Sequence, residues 1–244
     1  MTLLEAIAVL AAGFAAGGVN AVVGSGSLIT FPTLLAVGYP SVVANVSNTV
    51  GLVPGGVSGV IGYRRELRGL WRRTAILAVG TTAGALLGGI LLLSLSEAVF
   101  EAVIPVLILL AAVLMAVKRT PSSHAAVEHN GRGTLASFAT GIYGGYFGAA
   151  QGIILMSLLR FCYPDDLQRL NAIKNVLAGV ANGVAAILFI AVADVAWGAA
   201  ALIAVGSVGG SLVAARYGRR IPPEILRRIV IVYGTVVAIV LIVT

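Results

Sequence analysis

The residues of this chain best suited to chemistry are small polar groups set in apolar surroundings, not pairs of acids and bases. Asn20-Ala21-Val22-Val23-Gly24-Ser25-Gly26-Ser27 interrupts one apolar run, and Gly144-Gly145-Tyr146-Phe147-Gly148-Ala149-Ala150-Gln151-Gly152 interrupts another. Glycine clusters of this kind break a helix, and backbone unwound at membrane depth must be satisfied or line a polar cavity. A half-helix starting after each break would turn free N–H groups and its positive dipole end toward a common space, which is the chemistry of an anion site. Pro32 stands where it would start or kink the first half-helix.

Beyond each break comes a polar set at helical spacing: Asn45, Asn48 and Thr49, then Asn171, Lys174 and Asn175. Steps of three and four residues put each set on one helix face, and amides are costly against lipid, so both faces should look inward. The expected substrate-binding set is therefore Asn20, Gly24, Ser25, Gly26, Ser27, Gly148, Gln151 and Gly152, ringed by those six polar residues. Lys174 would complement an anion; the competing reading is that it lies five residues past Arg169 and snorkels to the surface. Single glycines read equally well as close-packing positions, and the amides as interhelical glue.

His124 and His129 both fall in the polar stretch 118–132, and no apolar run holds Asp, Glu or His near its middle. That removes a Ser/His dyad, an aspartyl dyad and an imidazole metal site, and it weakens a carboxylate proton relay. No catalytic residue, metal or cofactor is expected. Cys162 is the single cysteine, so no intrachain disulfide can form.

The elements that must position these residues follow from composition. Only 10% of the 244 residues are charged and 59% are hydrophobic, with a mean hydropathy of +1.04. A soluble domain carries about 25% charge, so this chain is read as a polytopic membrane protein, all α-helical. The net charge of +7 does not indicate nucleic acid, because the arginines sit in short loops and not on a soluble basic face. The first apolar run lacks a basic leader and an Ala-x-Ala exit and is expected to be retained.

Apolar segments long enough to cross a bilayer lie near 41–62, 74–95, 98–117, 167–192, 196–215 and 225–243, while 4–37 and 134–162 read as helix, break, half-helix hairpins. Thirteen of the sixteen basic residues occupy loops 63–73, 118–132 and 216–228, which the positive-inside rule places together in the cytoplasm. Ala75 to Gly80 recurs as Ala201 to Gly206, and Trp71 matches Trp197 at the same offset of 126 residues. The expected organisation is two inverted-topology repeats, each a broken-helix hairpin plus three transmembrane helices, at 1–117 and 133–244, joined by a cytoplasmic linker at 118–132.

The Gly-x-x-Asn-x-x-x-Gly-x-Gly break followed by Pro32, the polar stretch Ala44 to Thr49, the arginine loop and the second copy together resemble the TauE/SafE family over essentially the whole chain. The resemblance implies a bacterial or archaeal inner-membrane permease exporting small sulfur-containing anions such as sulfite or sulfoacetate. Members often have denser glycine where this chain has Ser25, Ser27 and Gln151, which leaves the exact anion open. Import or channel activity for the same anions, and a membrane scaffold without a ligand, are the alternatives. The partners expected are the anion, the lipid bilayer and, as an open option, a second copy in a homodimer, with no nucleic acid.

Overall fold

A computed structural model describes residues 1–116 and 130–217. Within them 84% of the chain is helical and no strand occurs. The helices are α1 (Leu3–Val22), α2 (Ser27–Ala36), α3 (Ser41–Gly62), α4 (Trp71–Ser94), α5 (Glu97–Ala116), α6 (Asn130–Tyr146), α7 (Gln151–Cys162), α8 (Leu167–Val192) and α9 (Trp197–Tyr217). The run at 225–243, linker residues 118–129 with both histidines, and Arg219, Arg220, Arg227 and Arg228 lie outside the described residues.

Local sequence explains the helix starts. The Thr2 hydroxyl accepts the Glu5 N–H at 3.3 Å while the Glu5 carboxylate accepts the Thr2 N–H at 2.7 Å, a capping box that opens α1. Asp166 opens α8 by accepting the N–H groups of Gln168 and Arg169. Helices α1, α4, α8 and α9 are long and apolar enough to cross a membrane. At 22 residues α3 has the length as well, but Asn45, Ser47, Asn48, Thr49 and its glycines dilute its hydropathy. With 10 and 12 residues, α2 and α7 reach only about half as far, at roughly 1.5 Å per residue. Both broken hairpins therefore form as the sequence predicts. Pro32 falls inside α2, however, and Ser27 starts that helix.

Several contacts gather the basic segments at one end of the molecule. Arg73 pairs with Asp165 and lies over the Tyr163 ring at 4.6 Å. Arg169 donates to the Arg68 carbonyl at 3.4 Å, Gly133 packs on Tyr163, and Gly62 faces Ala215. At the opposite end the Ser41 hydroxyl donates to Glu97 at 3.3 Å, and the Ala196 N–H donates to the Ser47 hydroxyl at 2.8 Å.

The most extensive packings are α1 on α9 and α4 on α6. Each pair runs parallel: Leu10 and Phe14 meet Gly206 and Gly210, while Phe138 and Ile142 meet Gly84 and Gly88. In both pairs the backbones touch, because glycine leaves no side chain between them. α9 also lies along α3, and α4 along α8, so each of these helices packs among helices distant in sequence. Adding 126 to the first residue of α3 and of α4 gives the first residues of α8 and α9. Side chains such as Val79, Ile187 and Val205, at 71%, 72% and 69% exposure, point outward, as a lipid-facing surface requires.

Candidate functional site

The two breaks meet in the interior. Gly24 turns the chain with φ of 85°, a left-handed conformation that glycine adopts without a Cβ clash. Its carbonyl accepts the Gly152 N–H at 2.9 Å, and a Cβ on either residue would lie 2.5 Å from the Cα of the other. At the position 126 residues after Gly24, Ala150 adopts the same left-handed region with φ of 59° and precedes α7.

Around this contact lies a small, partly open cavity. Its polar lining is Asn20, Ser27, Gln151, Asn175, Asn182 and Ser211, and bare backbone is supplied by Gly24, Gly55, Gly56, Gly59, Gly148, Gly152 and Gly179. No charged side chain is among these residues. Because α3 ends and α8 begins at the basic end, Gly55 to Gly59 and Asn175 to Asn182 place the cavity between mid-helix and that end. Toward the opposite end Phe31, Phe100, Tyr146 and Phe147 pack edge to face, with ring centroids 5.2 to 6.4 Å apart.

The sequence-derived set divides in two. Asn20, Gly24, Ser27, Gly148, Gln151, Gly152 and Asn175 line the cavity. Ser25, Gly26, Asn45, Asn48, Thr49, Asn171 and Lys174 do not. They are inward-facing, as expected of both polar faces, but all except Ser25 bind protein groups. Asn45 donates to the Tyr146 carbonyl at 3.0 Å, Thr49 to the Asn45 carbonyl at 2.9 Å, and Thr30 to Asn48. Asn171 and Asn175 both donate to the Ala21 carbonyl at 3.2 Å. Lys174 is 0% exposed and donates to the Asn20 carbonyl at 3.1 Å, so it neither snorkels nor lines the cavity.

The picture of two free helix N-termini needs the same refinement. The Gly26 N–H is held by the Asn20 side chain at 2.7 Å and the Gly152 N–H by Gly24. Ser27, at the first position of α2 and on the cavity wall, supplies a hydroxyl. Ser25 presents a buried hydroxyl that has no partner among the described residues, an arrangement that costs roughly 1–3 kcal/mol unless something else binds it. Neutral amides, hydroxyls and backbone N–H groups in a low-dielectric space can replace the water around a small anion without a fixed countercharge.

A family model described as sulfite exporter TauE/SafE matches residues 9–241. The chain belongs to the TauE/SafE family. It is also 27% identical over 213 residues to a probable membrane transporter protein of Haemophilus influenzae, covering 84% of this chain and 81% of that protein. A probable membrane transporter protein ORF9 of Sinorhizobium sp. is 24% identical over 234 residues, covering 93% and 88%. No solved structure matches significantly. This TauE/SafE member is accordingly a multi-pass membrane transporter protein.

Sequence reasoning missed Gly55, Gly56, Gly59, Gly179, Asn182 and Ser211 in this family member. Three of the omissions had a signal. Gly55 and Gly59 are four apart on α3, and Asn182 continues the Asn171, Asn175 stripe by seven residues, two turns further along one face. Ser211 had none, because α9 reaches the site only through its packing on α1 and α3.

Proposed function

We propose that the protein exports small sulfur-containing anions, sulfite or sulfonates such as sulfoacetate, across the cytoplasmic membrane by alternating access. The observation that carries this reading is the cavity itself: two repeat-related helix breaks meet there, and its polar lining is entirely neutral hydrogen-bonding groups. The fit is to a compact oxyanion, which takes several short hydrogen bonds and needs no cofactor.

The same reading takes 1–117 and 133–244 as inverted repeats joined by 118–132. Its support is directional. α1 runs with α9 toward the basic end, whereas α6 runs with α4 away from it, so helices 126 residues apart point in opposite senses. Positive-inside places the basic end in the cytoplasm. The cavity then faces the cytoplasm, and the aromatic cluster closes the outer side. Alternating access would open that cluster as the inner mouth closes.

An inside-negative potential favours anion exit by about 2.3 kcal/mol per charge per 100 mV, a roughly 40-fold gradient for a monoanion. We therefore propose electrogenic uniport. Proteoliposomes loaded with sulfoacetate should release it faster when a potassium–valinomycin gradient makes the interior negative, with no need of a sodium or pH gradient. Release that responds only to a proton gradient would reject uniport.

A further inference from the structure

Lys174 is the only buried charged side chain among the described residues, and the cavity does not use it. Its position explains why a cation is there. α1 ends at Val22, and the Val19 carbonyl accepts both the Val23 and Gly24 N–H groups. The chain then turns away at Gly24, so the next carbonyls, of Asn20 and Ala21, receive no N–H from their own helix. Lys174 takes the first, and Asn171 and Asn175 take the second. All three donors come from α8. A carbonyl left unpaired at this depth is costly, and a cation suits the negative end of a helix dipole.

Asn20 carries the effect onward. Its carbonyl is held by Lys174, its side-chain oxygen holds the Gly26 N–H at 2.7 Å, and it lines the cavity. The end of α1 and the start of α2 are thus tied through one residue. In the first copy the matching position, 126 residues before Lys174, is Asn48, which is neutral and bonds Thr30 instead. The charged cap therefore serves the first break alone.

We propose that Lys174 is a positioning residue: from α8 it caps the broken end of α1 and, through Asn20 and its bond to the Gly26 N–H, sets Asn20 and Ser27 on the cavity wall without touching the anion. This rests on the anion site proposed above. The test is hydrogen exchange and anion binding on the full-length protein in nanodiscs, for Lys174→Met and for the neutral-donor variant Asn171→Leu. Lys174→Met should speed exchange in residues 17–31 about tenfold while residues 80–92 of α4 stay unchanged. It should weaken methanesulfonate and sulfoacetate, a monoanion and a dianion, by the same factor of about ten. Asn171→Leu should speed exchange in the same segment to a smaller degree, and it decides the matter if Lys174→Met does not fold. Unchanged exchange in residues 17–31, or a dianion loss well above the monoanion loss, would overturn the proposal. If the unaltered protein binds neither anion, the site assignment fails, while the exchange result still judges the cap.

Discussion

Gly24→Ala and Gly152→Ala should each abolish the proposed anion transport, by at least about a hundredfold, in protein that still inserts and purifies. At Gly24 two costs add. The left-handed backbone penalises any Cβ by about 1–2 kcal/mol, and that Cβ would sit 2.5 Å from the Gly152 Cα. At Gly152 the backbone is ordinary and only the overlap operates. Since the obstacle is main chain and not a flexible side chain, the breaks must part, and the 2.9 Å bond from the Gly152 N–H to the Gly24 carbonyl goes with them. Gly38→Ala is the control, because Gly38 has φ of 94° but nothing within 4 Å of its added Cβ. It should cost about 1 kcal/mol in stability and leave transport intact. Sulfoacetate efflux from proteoliposomes reads all three variants; efflux by Gly24→Ala at near-normal rate would show that the break contact is dispensable.

The largest stability loss is expected at the glycine seams. A Cβ on Gly210 would overlap the Phe14 carbonyl oxygen, and one on Gly88 would overlap the Ile142 carbonyl oxygen. Neither backbone can yield locally, because each seam continues along the helix pair through Gly206 and Gly84 respectively. Overpacking typically costs 1–3 kcal/mol and occasionally more. Gly210→Leu and Gly88→Leu should exceed about 3 kcal/mol, because whole helices are forced apart. Gly183→Ala in α8 meets nothing within 4 Å and should be neutral or stabilising by up to about 1 kcal/mol through helix propensity. Thermal unfolding in detergent separates the two classes. Gly210→Leu melting at the parent temperature would mean that α1 and α9 do not pack as described.

Helix positions in this chain were legible because membrane spans announce themselves by length, and the breaks because glycine and serine interrupt apolar runs at matched positions. The inward orientation of Asn45, Asn171 and Lys174 was legible from spacing alone. What those residues touch was not. Periodicity assigns a side chain to a face but does not say which helix lies opposite, and the partners of Asn171 and Lys174 are carbonyls about 150 residues away on α1. The wall formed by Gly55, Gly59 and Ser211 was hidden for the same reason, since it depends on α9 packing among first-half helices. Lys174 illustrates the limit most clearly: a lone cation near a presumed anion site suggests a ligand, whereas the geometry gives it a helix end to cap.

Occupancy of the cavity between the two breaks by an anion is the central claim, and substrate protection tests it most directly. In a Cys162→Ser background, a single cysteine at Asn182 sits on the cavity wall. A membrane-impermeant maleimide should label it from the cytoplasmic side, and saturating sulfoacetate should slow labelling at least about fivefold while chloride does not. Equal rates with and without sulfoacetate and other small sulfonates, or labelling only from the outer side, would contradict the account.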